Sequence, residues 1–296
     1  GSSITAVDPH GQPGAGWKPY DSMLAAAPAR KKHVITLRAV EKDIEAAPGV
    51  RQRLWTFGGT VPAPALRARV GDDFDITFIN DGTIGHGVDF HASAVAPDVA
   101  MRTIDPGESL KYRFRADHAG AWLYHCSTMP MLHHIGNGMY GAVIVDPPNL
   151  EKADREYLIV SSEFYLGAQG GTADMRKLRT NAWDLAVFNG YPDQYVHAPL
   201  VAKVGERVRF WVVAAGPIEG VAFHVVGARF DTVFKEGAYV LRRGNAEHGA
   251  AQVLHLSAAQ GGFAETVFTE PGRYVLIDHD MRRGETGSRG IVEVTA

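Results

Sequence analysis

A single cysteine occurs among the 296 residues, so no internal disulfide can staple the chain, and cysteine usage leaves the redox compartment open. Basic runs are short, none longer than Arg30 to Lys32, and the formal net charge is −3. That balance argues against nucleic acid or a membrane surface as a partner. No apolar run reaches the ~18 residues that a membrane-crossing helix needs. Charged residues are only 21%, whereas glycine (33) and proline (16) are abundant. Short runs rich in Val, Ile, Phe and Tyr, separated by turn residues, point to an all-β fold. The polar, Gly/Pro-rich segment up to Ala29 lacks the charged-then-apolar order of a secretory signal, so any such signal is expected to have been removed.

The length suits two domains, each able to bury its own core, and a weak internal repeat supports that division. Val70-Gly71-Asp72-Asp73-Phe74-Asp75-Ile76-Thr77-Phe78 alternates as a strand should, and Val204-Gly205-Glu206-Arg207-Val208-Arg209-Phe210 echoes it. Asp89-Phe90-His91 is matched by Ala222-Phe223-His224, and Gly141 to Val145 by Gly290 to Val294. Two copies of one β-sandwich explain this order. The join is expected near Asp146-Pro147-Pro148-Asn149, where two prolines cannot serve a central strand. The division is therefore an N-terminal arm over 1–30, a first domain over 31–148 and a second over 149–296. Helix is expected to be minor, with one short helical or irregular connection between Ala173 and Leu185.

The lone cysteine lies in a dense set of metal-binding residue types, Tyr124-His125-Cys126 through His133-His134 to Met139-Tyr140. Cys126, His134 eight residues later and Met139 five beyond supply a thiolate, an imidazole and a thioether from one strand–loop–strand connection. One upstream histidine, His86, would complete a His₂Cys site with a long axial Met, the ligand set of blue-copper electron transfer.

Alternation along a strand predicts a second site. Neighbouring side chains point to opposite faces, so His125 cannot share the metal of Cys126. His86 and His91 differ by an odd step and face opposite ways, while Asp89 and His91 face the same way as each other. His91, Asp89 and His125 thus belong together, behind the cysteine site. One peptide joins the two sites, and chain geometry puts the metals on the order of 10 Å apart. A catalytic metal site wants a third protein ligand, and His279, near the second-half counterpart of the cysteine strand, is the best candidate. His224, the repeat partner of His91, can line the same cavity. His133 is expected on the surface or behind the ligands, because its neighbour His134 faces the metal. His10, His33, His118, His197, His248 and His255 join no such constellation.

His86 to His91 (H-G-V-D-F-H), Tyr124 to Cys126, His134 to Gly141 (H-I-G-N-G-M-Y-G) and Phe223 to Gly227 resemble the copper-containing nitrite reductases, two-domain cupredoxin proteins with Greek-key β-sandwiches. The resemblance spans roughly residues 31 to 296. It implies type 1 copper on His86, Cys126, His134 and Met139, and type 2 copper on His91, His125 and His279, one of each per chain. It implies Asp89 and His224 as the catalytic acid pair, with one electron passing from type 1 to type 2 copper to reduce nitrite to nitric oxide. It further implies a cupredoxin or cytochrome c donor, an acidic pH optimum, a periplasmic or otherwise extracytoplasmic location, and a homotrimer with the type 2 site between subunits. The sequence itself leaves ligation within one chain and between chains equally open. Residues 127–132 and 165–184 match the family weakly.

Two other readings compete. A two-domain multicopper oxidase would need several His-x-His pairs for a three-copper cluster, and the chain has none: Asp89 and Ser127 stand where second histidines are wanted. A non-catalytic copper electron-transfer protein would keep the scaffold and need not hold two different coppers.

Overall fold

The computed structural model describes all of residues 1–296. The first half contributes β1 (Lys32–Ala47), β2 (Val50–Phe57), β3 (Leu66–Arg69), β4 (Asp73–Asn80), β5 (Asp89–Phe90), β6 (Ser109–Arg115), β7 (Gly120–His125) and β8 (Tyr140–Asp146). Two short helices, α1 (Pro97–Ala100) and α2 (Met131–Gly136), interrupt them. The second half contributes β9 (Arg155–Phe164), β10 (Leu185–Phe188), β11 (Ala198–Lys203), β12 (Arg207–Gly216), β13 (Val221–Val225), β14 (Thr232–Lys235), β15 (Ala238–Leu241), β16 (Leu254–Leu256), β17 (Gly261–Val267), β18 (Gly272–Asp278) and β19 (Arg289–Thr295). Helices α3 (Met175–Thr180), α4 (Gln194–His197) and α5 (Met281–Glu285) lie among these strands. No helix is long and apolar enough to cross a membrane.

The strands form four sheets, and each sheet draws only on one half. In the first half the orders are β2-β1-β4-β6 and β3-β8-β7-β5. In the second they are β10-β9-β12-β17-β14-β15 and β11-β19-β18-β13-β16. Without β14, β15 and β16, the second pair repeats the first strand for strand, including the parallel pairings β1 with β4 and β9 with β12. Two tandem cupredoxin-like sandwiches account for this order.

Alternation decides where each strand sends its side chains. β4 reads Asp-Phe-Asp-Ile-Thr-Phe-Ile-Asn with every second residue buried, as a strand with one wet face should. β8 is buried on both faces: Val143 and Val145 enter the first sandwich core, while Ala142 and Ile144 enter a cluster shared between the sandwiches. β12 does the same, with Phe210 and Val212 in the second core and Trp211 and Val213 in the shared cluster. Apolar surface therefore glues the halves as well as filling them, each buried Val, Leu or Phe contributing roughly 1.5–3 kcal/mol. At Gly261 the halves touch backbone to backbone, and a Cβ there would fall inside the Ala121 carbonyl.

The expected connection over 173–185 contains α3, capped by Asp174, whose side chain accepts from the amides of Arg176 and Lys177. The N-terminal arm is tied to both halves. Ile4 N–H donates to Gly167 O and Leu24 N–H to Glu156 O, the Tyr20 hydroxyl donates to Ala63 O at 3.0 Å, and His10 meets Asp193 at 2.7 Å.

Candidate metal centre

β7 carries the division between the two sites. Tyr124 packs in the first core, Ala121 and Leu123 in the cluster between sandwiches, so Cys126 falls on the core side and His125 on the side that faces the second sandwich. Cys126 is fully buried among Phe57, Val88, Tyr124 and Met139. Its Sγ lies 3.3 Å from His134 Nδ1 and 3.9 Å from His86 Nδ1, and the two imidazole nitrogens are 3.3 Å apart. Three donors each roughly 2 Å from one ion in a trigonal plane would be separated by about these distances, so the set fits a His₂Cys copper. The structure brings these three together as the sequence predicts. Met139 is buried in the same cluster and its carbonyl accepts the Cys126 amide at 3.1 Å.

Each of these side chains is positioned by local structure. α2 presents His134 one turn after Pro130. His86 is pinned by a two-way backbone bridge to Ile104, and the adjacent Gly87 amide points at Sγ from 3.5 Å. Burial pushes the Cys126 thiol up, and the Gly87 and Thr128 hydrogen bonds oppose that rise. Burial and the neighbouring His86 and His133 hold His134 down at about 4, so its ring is neutral, the form that binds metal.

The second group is built from cross-strand geometry. Asp89 on β5 pairs directly with His125 on β7, which puts their side chains on one face, and His91 follows two residues after Asp89 on that face. His91 Nε2 and His125 Nε2 are 2.9 Å apart, and Asp89 Oδ2 lies 3.6 and 3.5 Å from them. One ion about 2 Å from both nitrogens would subtend close to a right angle. His125 Nδ1 lies 2.9 Å from the Cys126 carbonyl. A carbonyl only accepts, so Nδ1 carries the proton and Nε2 offers its lone pair. Burial, then the nearby His125, push His91 below its ordinary value, with Asp89 working against them.

His279 and His224 do not join this group within the chain. They face each other instead, ring centroids 5.2 Å apart, with His224 Nδ1 held by Gln252 O at 2.6 Å. His133, expected on the surface or behind the ligands, takes the second place. It is half-buried against Trp55 at 4.7 Å, and its Nε2 is shut off from solvent without a partner.

Two contributors had not been expected. Trp55 wedges against His134 at 4.7 Å and His86 at 6.0 Å. Glu41, buried on β1, reaches His86 Nε2 with Oε1 at 3.3 Å. A signal for Glu41 existed: Leu37, Ala39 and Glu41 share the inward parity of β1, and an acid at an inward position asks for a reason.

Among known proteins, the multicopper oxidase family profile matches residues 38–150. A Neisseria gonorrhoeae protein described as a copper-containing nitrite reductase is 35% identical over 271 residues, 88% of this chain and 68% of that protein. The solved copper nitrite reductase from Nitrosomonas europaea superposes with a TM-score of 0.81 at 35% identity, covering 90% of this chain and 94% of that one. A crystal structure titled multicopper oxidase gives a TM-score of 0.78 at 27% identity, covering 98% and 97%. With its two donor groups back to back across one peptide, and with likeness of this extent, the chain belongs to the copper-containing nitrite reductases, a two-domain cupredoxin family.

Proposed function

We propose that the protein reduces nitrite to nitric oxide, taking one electron through Cys126 and two protons through Asp89 and His224. The observation that carries this is the pair of donor sets joined by the His125–Cys126 peptide, with a carboxylate beside the second set. In this reading His86, Cys126, His134 and Met139 hold type 1 copper, and His91, His125 and His279 hold type 2 copper. Copper supplies electron transfer and Lewis-acid polarisation when bound. The rest is the work of the chain. Reduction of nitrite releases one oxygen as water, so a proton donor must stand beside the reacting oxygen. Asp89 Oδ2, poised about equally from both imidazoles, is that donor. His224, its Nδ1 proton fixed on Gln252 O, keeps Nε2 free to hold a water and relay the second proton.

Because His279 pairs with His224 and not with His91 or His125 in one chain, we place the complete type 2 site between copies, in a homotrimer. Residues 1–30, 31–148 and 149–296 serve as arm and two domains. The donor is a cupredoxin or cytochrome c and the location is extracytoplasmic. The deciding experiment is an anaerobic assay of copper-loaded protein with a reduced dye and nitrite; nitric oxide supports the reading, and its absence from protein holding both coppers rejects it. Mixing inactive His91→Ala and His279→Ala chains restores activity only if the site is shared between copies.

The family profile and the structural likeness to a multicopper oxidase favour oxygen as an alternative oxidant. The absence of any His-x-His pair weighs against a three-copper cluster. Oxygen uptake with the same dye, faster than nitrite reduction, would reverse the preference.

A further inference from the structure

Glu41 is a buried carboxylate with no Arg or Lys partner; its one ion-pair contact is His86. An unpaired charge in such a place is costly, and its retention asks for a compensating cation. The surroundings are built around the carboxylate. The Thr83 amide reaches both oxygens at 3.0 Å, and the Thr83 hydroxyl donates to Oε1 at 3.3 Å. Gly82 lets the loop pass over it, since a Cβ there would sit 2.5 Å from Oε2. Asn80 fixes that loop, accepting the Gly82 amide and donating to Ile84 O and Ile104 O. Every polar neighbour is a donor.

The second half repeats the device with a different cation. Glu163, buried on β9, accepts the amides of Ile218 and Glu219 from the loop after β12, as Glu41 on β1 accepts that of Thr83 from the loop after β4. There the counter-charge is Arg283 of α5. In the first half the corresponding helix, α2, carries His134 and no arginine.

We propose that Glu41 is a positioning residue for the type 1 copper: it holds the His86 Nε2 proton so that Nδ1 faces the metal, and its negative charge is balanced by the copper, favouring the oxidised ion. The inference rests on the type 1 reading above. The charge stabilises the more positive state, so its removal makes the site easier to reduce.

The test is the copper-loaded Glu41→Gln variant, with the type 1 midpoint potential measured by spectroelectrochemistry. We expect the potential to rise by about 59 mV or more, a tenfold change in the one-electron equilibrium constant, with the blue band retained. A retained band with an unchanged or lowered potential overturns the role of Glu41, whereas no blue band in the unmutated protein overturns the type 1 reading instead. Should the variant misfold, proton NMR of the unmutated copper(I) protein decides: a His86 Nε2–H signal protected from solvent exchange supports the contact, and a freely exchanging one refutes it.

Discussion

The two sandwiches answer the same structural question differently. Between β7 and β8 the first places α2, whose His134 turns toward a cysteine and a second histidine. Between β18 and β19 the second places α5, whose buried Arg283 donates to Asp278 at 2.7 Å and to Glu219 at 2.9 Å and approaches Glu163. One half leaves a space for a cation between soft donors; the other fills it with a guanidinium. Burial raises Glu163 and Asp278, and Arg283 opposes that rise in both. In the second half Arg283 supplies the central positive charge; in the first half, on the proposed reading, type 1 copper would supply it.

The strongest way to break this comparison is to take the metal from the first half. Cys126→Ala should abolish the intense visible absorption and lower turnover with a protein donor by about 10⁴-fold, ~5.4 kcal/mol in transition-state terms; colour that survives would contradict the type 1 assignment. Next is the removal of the built-in cation. Arg283→Met strands three carboxylates and should lower unfolding free energy by about 3–5 kcal/mol in a denaturant titration, while the blue band of the first half stays in place. An unaltered midpoint would mean that the cluster is not the second half's counterpart of copper.

A third test concerns acid. In the metal-free protein, His134 is depressed to about 4 in the fold against ~6.5 unfolded. The folded state then binds fewer protons between these values. Its stability is complete above pH ~6.5 and falls by about 3 kcal/mol as pH drops to 4. His134→Asn should flatten that part of the profile, and copper should protect against it. The smallest effect belongs to the face between the sandwiches. Asp89→Asn should keep both coppers but slow nitrite reduction by about a hundredfold; full activity would remove Asp89 from proton delivery.

Much of this was legible before any coordinates. The alternation around His125 and Cys126, and the odd step from His86 to His91, sorted His86 and Cys126 from Asp89, His91 and His125 because side-chain direction is a local property with period two. The repeat of Val70 to Phe78 in Val204 to Phe210 foretold the matching sheet orders for the same reason. What stayed hidden depends on distance along the chain. Glu41 is 45 positions from His86, and Trp55 meets α2 only after β2 has folded across it. No periodic rule links such residues. No local rule placed His279 either: in one chain its ring faces His224 and it does not join His91 and His125.

The first thirty residues act as a lashing. They bridge Met23 to Tyr157, bond Tyr20 to Ala63 on one body and Gln194 on the other, and seat His10 at Asp193. Such a cord reinforces two bodies already joined by the apolar cluster between them. Cut by a protease, it should lower the melting temperature while leaving a single calorimetric peak.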